Sequence, residues 1–315
     1  MCNLKDKKDI LSTEKGITVL SLFDGISCGR LALERAGIKV AKYYASEIKK
    51  SAIELTQQHF PDTIQIGDVT KVNYQNGILN TENGSFNIGK VDLLIGGSPC
   101  QNFSLARATD RLKIDGLEGD KSKLFYEYLR LKNEINPTYF LLENVKMKQE
   151  SENDLNTYMG VKGLHINSSL VSFQNRPRIY WSNIPGITIP EDKKISFQDY
   201  KDTDFDYCKQ FKLPDTPSRR KYWRDGKGNN SATGGCANVT YADKIKTITR
   251  KQDRSPNSGL IEFDGFCRFL TRREIELAQT LPVGYTDMLS YNQMQDVCGD
   301  GWTVDIIAHI FGFLK

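Results

Sequence analysis

A cysteine directly follows an apolar run in the segment DLLIGGSPCQNFS, residues 92–104. The run ends in the small residues Gly96, Gly97 and Ser98, and the residues after Cys100 are polar. A thiol at the end of a buried strand, flanked by small side chains, is open to a ligand, and its thiolate is a nucleophile. We therefore expect Cys100 to be an exposed thiol. The alternative is a buried structural cysteine.

Two acidic residues stand at the ends of further apolar runs, Glu47 after KVAKYYAS and Asp68 after IQIG. In open parallel sheets, ligands bind beyond the carboxyl ends of the strands. The turn SLFDGISCG lies at a third such end, but the chain has neither the Gly-x-Gly-x-x-Gly fingerprint nor a P-loop lysine. Acids without a phosphate loop favour a nucleoside ligand that lacks a pyrophosphate. The alternative is that Glu47 and Asp68 cap the helices that follow them.

A Glu-Asn pair and two arginines are the remaining groups suited to chemistry. Glu143 and Asn144 end the apolar run TYFLLENV, where a helix N-cap is the rival interpretation of Glu143. In QNRPRIYW, residues 174–181, Arg176 and Arg178 alternate, and alternate residues share one face of an extended segment. The alternative for this segment is a solvated basic strand edge.

All of these residues fall beside predicted elements. Continuous apolar runs predict strands over 17–23, 39–47, 64–69, 91–97 and 138–145. Helical spacing predicts helices over 28–37, 49–60 and 123–135. Gly37 is expected to cap the first helix, and Pro61 and Pro137 to stop the other two. Strands that alternate with helices in this way predict an α/β fold with a doubly wound, mostly parallel sheet.

The chain changes character after residue 186. Residues 187–264 are polar, are broken by Pro and Gly, and have no clear period. Within residues 205–254 there are twelve Lys or Arg against five Asp and no Glu, with aromatic residues interleaved. Helical patterns return over 271–281 and 302–314. We therefore expect one domain built from residues 1–186 and 265–315, with a small irregular basic domain, residues 187–264, inserted into it.

The composition excludes several classes of protein. Hydrophobic residues make up 39% and charged residues 26% of the 315 residues, as in ordinary globular chains. No run approaches the roughly 18 apolar residues of a membrane span, and the N-terminus is too polar for a secretory signal. The seven cysteines show no paired spacing, which argues against disulfides and against a structural zinc site. We expect no metal, no membrane partner and a reducing, cytoplasmic setting.

The chain resembles the cytosine-C5 DNA methyltransferases that use S-adenosylmethionine, both the bacterial and phage modification enzymes and the catalytic domain of the mammalian de novo enzymes. The matching blocks follow the family's order: SLFDGISCGRLALERAG, ASE, GDV, DLLIGGSPCQNFS, FLLENV, QNRPRIYW, LTRREIELAQTLP and GDGWTVDIIAHIF. Together they cover nearly everything except residues 187–264. The resemblance implies a Rossmann-like methyltransferase domain, with a target-recognition domain at residues 187–264.

The resemblance also implies the reaction. Cytosine C5 is a poor nucleophile, so Cys100 would add to C6 of the ring, and this covalent adduct would activate C5. Glu143 would share a proton with N3, and Arg178 would reach the cytosine O2. Arg176 would support the site and the DNA backbone. Gln101 would lie near the position that the flipped cytosine leaves in the duplex.

For the cofactor, the resemblance implies a pocket drawn from both ends of the chain. Phe23 would pack on adenine, Gly25 would admit the methionine part, and Glu47 would bind the ribose hydroxyls. Ile48 would cover an adenine face, and Asp68 would meet the adenine edge. The implied cofactor-binding residues are Phe23, Asp24, Gly25, Ser27, Glu47, Ile48, Asp68, Val69, Pro99 and Trp302. S-adenosylhomocysteine would be the product of the donor.

Double-stranded DNA is the implied partner. The polar loop 101–122 would close over the flipped base, and the basic region 187–264 would contact phosphates and base edges. Candidate contacts are Arg219, Arg220, Arg224, Arg250 and Arg254. The implied setting is the cytoplasm, at the nucleoid of a bacterium, or the nucleus of a eukaryote. A cognate restriction endonuclease would accompany a restriction–modification role, whereas the target sequence and the oligomeric state stay open.

Two further functions also stay open. An RNA cytosine methyltransferase of the transfer-RNA type would use the same chemistry, but the Cys-Phe-Thr motif typical of that group is absent from residues 187–264. A catalytically silent DNA-binding homologue would have lost the nucleophile or the cofactor residues, whereas Cys100, Glu143, Arg178 and Glu47 are all present. A nucleotide-binding oxidoreductase is disfavoured by the missing pyrophosphate glycines.

Overall fold

The structure is a computed structural model that describes residues 16–98, 123–217, 238–250 and 257–314. The chain divides into two compact units. The first contains Met1–Ile166, Arg178–Ile189 and Asp305–Lys315, and the second contains Asn167–Pro177 and Pro190–Val304. Residues 265–304, which we assign to the catalytic domain, therefore lie in the second unit. Compactness does not report which residues bind a substrate, so the recognition domain at 187–264 stays a prediction.

The first unit is built on a seven-stranded sheet. The first ten strands, numbered along the chain, are β1 (Ile17–Leu22), β2 (Val40–Ser46), β3 (Ile64–Gln65), β4 (Asn73–Gln75), β5 (Ile78–Thr81), β6 (Gly84–Asn87), β7 (Leu93–Gly97), β8 (Tyr139–Val145), β9 (Leu164–Asn167) and β10 (Pro177–Ser182). The large sheet has the order β3-β2-β1-β7-β8-β10-β9. The neighbours from β3 to β8 run parallel, and β10 runs antiparallel to β8. The predicted doubly wound, mostly parallel sheet is confirmed.

Four helices of the first unit follow the strands: α1 (Cys28–Arg35), α2 (Lys50–His59), α3 (Lys123–Ile135) and α4 (Gln149–Met159). Gly37 caps α1 as predicted, because its φ of +69° turns the chain and its N–H donates to the Glu34 carbonyl. Helix α3 has the predicted bounds and ends before Asn136 and Pro137. Helix α4 was not predicted, since its polar sequence QESENDLNTYM shows little apolar periodicity.

The apolar strands are buried against α3. Leu20, Leu94 and Leu142, from β1, β7 and β8, belong to one buried cluster with Phe125 and Tyr128 of α3. Gly96 of β7 allows this packing, because a Cβ at that position would lie 2.9 Å from the Tyr128 ring. This glycine therefore brings the helix close to the sheet next to the strand end that precedes Cys100.

A small antiparallel sheet, β4-β5-β6, interrupts the alternation between β3 and β7. Its strands do not stand out in the sequence, because they are three or four residues long and mostly polar. Leu79 is fully buried, and the Phe86 ring meets the Tyr44 ring edge-on with centroids 5.9 Å apart. These contacts attach the small sheet to the core of the first unit.

The second unit has less regular structure in its described part. Its elements are α5 (Phe205–Lys209), β11 (Ile261–Phe263), β12 (Phe266–Arg268), α6 (Arg272–Ala278), α7 (Tyr291–Asp300) and α8 (Val304–Phe311), whose residues after Val304 belong to the first unit. The predicted helix over 271–281 is confirmed as α6, with a capping box between Thr271 and Glu274. The predicted helix over 302–314 begins at Val304, and α7 was not predicted.

One stretch, Tyr291–Leu314, is long and apolar enough to cross a membrane by length and composition alone. It contains α7, a bend at residues 301–303, α8 and a short helical turn at Gly312–Leu314, and half of its most apolar window is buried inside the fold. Core helices pass the same test, so this observation is weak evidence for a membrane span.

Candidate active site at the carboxyl edge of the sheet

The parallel strands bring most of the predicted site residues to one edge of the sheet. Leu22 at the end of β1 is in register with Ser46 of β2 and with Gly96 of β7, and Gly97 is in register with Glu143 of β8. The turn after β1, the ends of β2 and β3, and the end of β8 therefore share this edge. Pro99, Cys100 and Gln101 lie outside the described residues, and the described chain before them ends at Ser98 on the same edge.

The turn after β1 has an unusual backbone. Phe23, Gly25 and Ser27 have φ values of 56°, 62° and 56°, in the left-handed region that costs non-glycine residues free energy. Among the described residues, a Cβ added to Gly25 would meet no atom within 4 Å. The Gly25 backbone thus faces open space and allows a ligand to approach closely.

Asp24 is held inside this turn. Its Oδ1 accepts a hydrogen bond from the Tyr43 hydroxyl at 2.7 Å, and its Oδ2 accepts one from the Ser27 hydroxyl at 2.5 Å. Burial raises the pKa of Asp24 above its ordinary value, against the effect of the hydrogen bonds, and the Glu47 carboxylate raises it further. Tyr43 was not singled out from the sequence, because it looks like any apolar strand residue until Asp24 is placed beside it.

Glu47 connects the turns after β1 and β2. Its Oε2 accepts from the Gly25 N–H at 2.8 Å, and its Oε1 accepts from the N–H groups of Ile48 and Lys49, both at 2.8 Å. Ile48 and Lys49 precede α2, and the start of this helix has no side-chain cap, so Glu47 orders the turn and does not cap the helix. Each carboxylate oxygen still has acceptor capacity for a ligand hydroxyl. The Ile48 side chain beside it is 76% exposed, which is high for an isoleucine.

Asp68 begins the short helical turn Val69–Lys71. Its Oδ1 accepts from both the N–H and the hydroxyl of Thr70, at 2.9 Å each, so the capping alternative is realised at Asp68. Within the described residues, Oδ2 of Asp68 makes no hydrogen bond. Val69 is buried, with 4% of its surface exposed. One oxygen of Asp68 orders the turn, and the other is available to a ligand.

Glu143 and Arg178 form an ion pair at the end of β8. Arg178 Nε lies 2.8 Å from Glu143 Oε1, and the two side chains are 12% and 11% exposed. The antiparallel register of β8 and β10 pairs Glu143 with Tyr180 and Arg178 with Val145, so the two side chains meet diagonally. Arginine and carboxylate thus form a preorganised pair beside the strand end that precedes Cys100.

Asn144 links the ends of β7 and β8. Its side-chain amide donates to the Ser98 hydroxyl at 3.1 Å, and its oxygen accepts from the Val145 N–H at 2.8 Å. Ser98 and Asn144 are both buried. Asn144 therefore orients the chain two residues before Cys100, a role that the order of residues alone did not reveal.

Two of the predicted site residues belong to the second unit. Arg176 is 3% exposed, and its guanidinium donates to the carbonyl oxygens of Ile248, Gly299 and Gly301 at 2.8–3.0 Å. It supports the backbone of that unit, and its part in catalysis stays a prediction. Trp302 lies half-buried immediately before Thr303 and α8, and its cofactor role likewise stays a prediction.

Comparisons with known proteins identify the family. Residues 17–180, about half of the chain, match the C-5 cytosine-specific DNA methylase family. The orphan methyltransferase M.Rho11sI of Bacillus phage rho11s is 32% identical over 177 residues, which are 52% of this chain and 32% of the phage protein. The DNA (cytosine-5)-methyltransferase DRM2 of Arabidopsis thaliana is 38% identical over 118 residues, 37% of this chain and 18% of DRM2. These matches span about a third and a fifth of the relatives' lengths.

Among solved structures, the S. pombe Dnmt2 methyltransferase superposes with a TM-score of 0.67 over 95% of this chain and 98% of its own. The identity is 16%, so this likeness shows the fold and nothing about the substrate.

Proposed function

Because the chain belongs to the C-5 cytosine-specific DNA methylase family, we propose that it is a DNA (cytosine-5)-methyltransferase that uses S-adenosylmethionine and a covalent Cys100 adduct. The observation that carries the proposal is the shared edge of β3, β2, β1, β7 and β8. This edge brings the acidic groups Asp24, Glu47 and Asp68 together with the Glu143–Arg178 pair.

The catalytic groups have separate tasks in this proposal. The Cys100 thiolate adds to C6 of the cytosine, which makes C5 nucleophilic, and it is eliminated after C5 has gained the methyl group and lost its proton. Glu143 holds a proton at N3, where the addition places electron density. The Arg178 guanidinium orients the Glu143 carboxyl and donates to the cytosine O2. Asn144 orients Ser98, which lies two residues before Cys100.

The residues at the strand ends fit S-adenosylmethionine. The open space at Gly25 admits the methionine part, the exposed Ile48 side chain offers an apolar face for adenine, and Glu47 and Asp68 keep acceptor capacity for the ribose and the adenine edge. Phe23, Ser27 and Val69 complete the same edge, and Pro99 and Trp302 are assigned by resemblance. When bound, the cofactor supplies an electrophilic methyl group.

DNA is the proposed substrate on two grounds. The name of DRM2 and of the matched family is that of a DNA enzyme, and basic residues exceed acidic ones within residues 205–254. A duplex base is inaccessible at C6, so the target cytosine is extruded. Any partner endonuclease and the host compartment follow from where the gene resides, and the site chemistry is independent of both.

Bisulfite sequencing of DNA from a methylation-free host that expresses this chain tests the proposal. We expect protected cytosines in one short sequence context, and none with Cys100→Ala. Cys208→Ala is the matched control, because burial raises the pKa of the Cys208 thiol to about 11 and leaves it unreactive at neutral pH.

Three other outcomes contradict the proposal in different ways. Normal protection by Cys100→Ala would exclude the covalent mechanism. Methyl transfer to transfer RNA without transfer to DNA would identify an RNA enzyme. S-adenosylhomocysteine binding without transfer to either nucleic acid would identify a silent homologue.

A further inference from the structure

The segment that carries Asp68 receives little support from the large sheet. Strand β3 is two residues long, has β2 as its only partner among the described strands, and forms the edge of the sheet. Beyond it, the Ile66 N–H donates to the Ala45 carbonyl, and the Ser46 hydroxyl donates to the Gly67 carbonyl at 2.7 Å. The sheet thus holds the chain as far as Gly67, and other contacts must hold Asp68.

Those contacts come from the turn between β5 and β6. Glu82 Oε1 accepts from the Asp68 N–H at 2.8 Å, and Glu82 Oε2 lies 2.6 Å from Lys71 Nζ. The Asn83 side-chain amide donates to the Gln65 carbonyl at 3.0 Å. The turn therefore binds the chain on both sides of Gly67. We call residues 81–84 the clamp turn.

Gly67 is shaped for this contact. Its φ of +77° lies in the left-handed region, and a Cβ there would lie 2.3 Å from Glu82 Oε1. A side chain at this position would therefore displace the Glu82 carboxylate from the Asp68 N–H. The absence of a side chain at Gly67 and the carboxylate of Glu82 are complementary.

The clamp turn is itself held in place. The Thr81 hydroxyl donates to the Gly84 carbonyl at 3.0 Å and accepts from the Asn83 N–H at 3.1 Å. The small sheet behind it is anchored by buried Leu79 and by the Phe86–Tyr44 ring contact. The hydrogen bond from Lys71, followed by that from the Asp68 N–H, lowers the pKa of Glu82, so both contacts favour the charged carboxylate.

We propose that Glu82 is a positioning residue that holds Asp68 in the conformation that binds the adenine edge of the methyl donor. This inference rests on the proposed function and extends it to a side chain outside the large sheet. Glu82 touches neither the donor nor the cytosine. Its effect is on the fraction of molecules whose Asp68 turn is ready to bind, and the apparent dissociation constant rises as that fraction falls.

Calorimetric titration with two ligands tests the proposal on the full chain. S-adenosylhomocysteine carries the 6-amino group of adenine, whereas S-inosylhomocysteine carries a carbonyl oxygen at that position and has no amino donor for Asp68. For Glu82→Ala we expect the dissociation constant of S-adenosylhomocysteine to rise about 5- to 10-fold, as a competent fraction of roughly 0.1–0.2 requires. The constant for the inosyl ligand should change less, so that the preference for adenine decreases.

Two variants separate positioning from charge and from general damage. Glu82→Gln keeps an acceptor for the Asp68 N–H, so its dissociation constant for S-adenosylhomocysteine should lie within about twofold of the wild-type value. Glu54→Ala removes another exposed glutamate, paired with Lys50 on α2, and should leave both constants unchanged.

Either of two results would overturn the inference: an unchanged affinity in Glu82→Ala, or an equal weakening of both ligands. The proposed function would survive both, provided that the wild-type chain binds S-adenosylhomocysteine. Failure of the wild type to bind that ligand would overturn the proposed function as well.

Discussion

The Glu143–Arg178 pair shows how much a single contact contributes at the residue scale. Both side chains are nearly buried, and their atoms lie 2.8 Å apart. Desolvation of two charges offsets much of their attraction, so such a pair is weak evidence for added stability. Its position at the end of β8, beside the chain that leads to Cys100, favours a functional reason for it.

Arg178→Lys should lower the rate of methyl transfer by about 10²- to 10³-fold, because removal of one preorganised donor from a charged transition state has this effect. Lysine keeps the charge but lacks the rigid guanidinium geometry that orients a carboxylate. Single-turnover transfer to DNA measures the rate, and S-adenosylhomocysteine affinity should be unchanged. Arg130→Lys, in a half-exposed triad with Glu127 and Glu134 on α3, is the control. Equal rates for wild type and Arg178→Lys would contradict the assignment.

Asp24→Asn should change the pH dependence of stability. A carboxyl whose pKa is raised on folding stabilises the fold below its unfolded pKa, and this contribution is lost as the pH rises through the folded pKa. Burial raises the pKa of Asp24, whereas asparagine has no such titration. The free energy of unfolding of the variant minus that of wild type should therefore be larger at pH 7 than at about pH 4.5.

Urea denaturation at several pH values measures this difference. Asp154→Asn on α4 provides the control, because it removes an exposed carboxylate instead of a buried one. If the free energies of unfolding of Asp24→Asn and wild type differ by the same amount at every pH, the fold does not destabilise the charged form of Asp24.

At the scale of elements, a buried ion pair at the junction of β12 and α6 connects several segments of the second unit. Arg268 donates through both terminal nitrogens to Glu274 at 2.8 Å, and both side chains are 0% exposed. Glu274 also accepts from the N–H groups of Asp202 and Thr271, at 2.9 and 2.8 Å. One buried pair thus ties the strand, the start of the helix and a distant loop together.

Arg268→Met should reduce the free energy of unfolding by about 3–5 kcal/mol, because it leaves the Glu274 carboxylate buried without its cation. Arg268→Met combined with Glu274→Gln should recover a large part of the loss, since the amide is neutral and still accepts a hydrogen bond. Lys50→Met removes an exposed partner of Glu54 on α2 and should cost less than about 1 kcal/mol. Urea denaturation compares the three. Equal losses for Arg268→Met and Lys50→Met would contradict the prediction.

At the scale of the whole molecule, charge is distributed unevenly. The net charge is only +4, from 43 basic and 39 acidic residues, but twelve basic residues stand against five acidic ones within residues 205–254. Of the arginines that we consider for DNA contact, Arg250 is described, and its Nε lies 3.8 Å from Asp296 Oδ1 and 3.6 Å from Asp300 Oδ2. Arg219, Arg220, Arg224 and Arg254 lie outside the described residues.

DNA affinity should fall with salt concentration, and the slope should depend on these arginines. Each phosphate contact contributes about −0.9 to the slope of log K against log salt, so a triple Gln variant of Arg219, Arg220 and Arg224 should have a slope shallower by roughly 2–3. Fluorescence anisotropy with a non-cognate duplex measures it. Lys50→Gln on α2 is the control, and equal slopes for all three proteins would exclude these arginines from the interface.

Local sequence determined the main elements of the first unit. The runs that became β1, β7 and β8 are continuous and apolar, because nearly every residue of these strands is buried, and α3 has the predicted bounds because its apolar residues repeat at helical spacing. The residues at the strand ends were predicted for the same reason, since a parallel sheet gathers them at one edge. The β4-β5-β6 sheet, α4 and α7 were missed, because short or polar segments carry little periodic signal.

Only the tertiary structure decided which of these residues meet. Arg178 reaches Glu143 through the antiparallel register of β10, and Glu82 reaches Asp68 across fourteen residues of a meander that nothing in the local pattern predicted. The raised pKa of Asp24 depends on its burial beside Tyr43 and Glu47. Local preference is encoded in neighbouring residues, whereas these contacts depend on register, burial and loop closure between distant ones. The sequence by itself therefore determined the sheet and the chemical groups at its edge, and the fold decided their hydrogen bonds and charges.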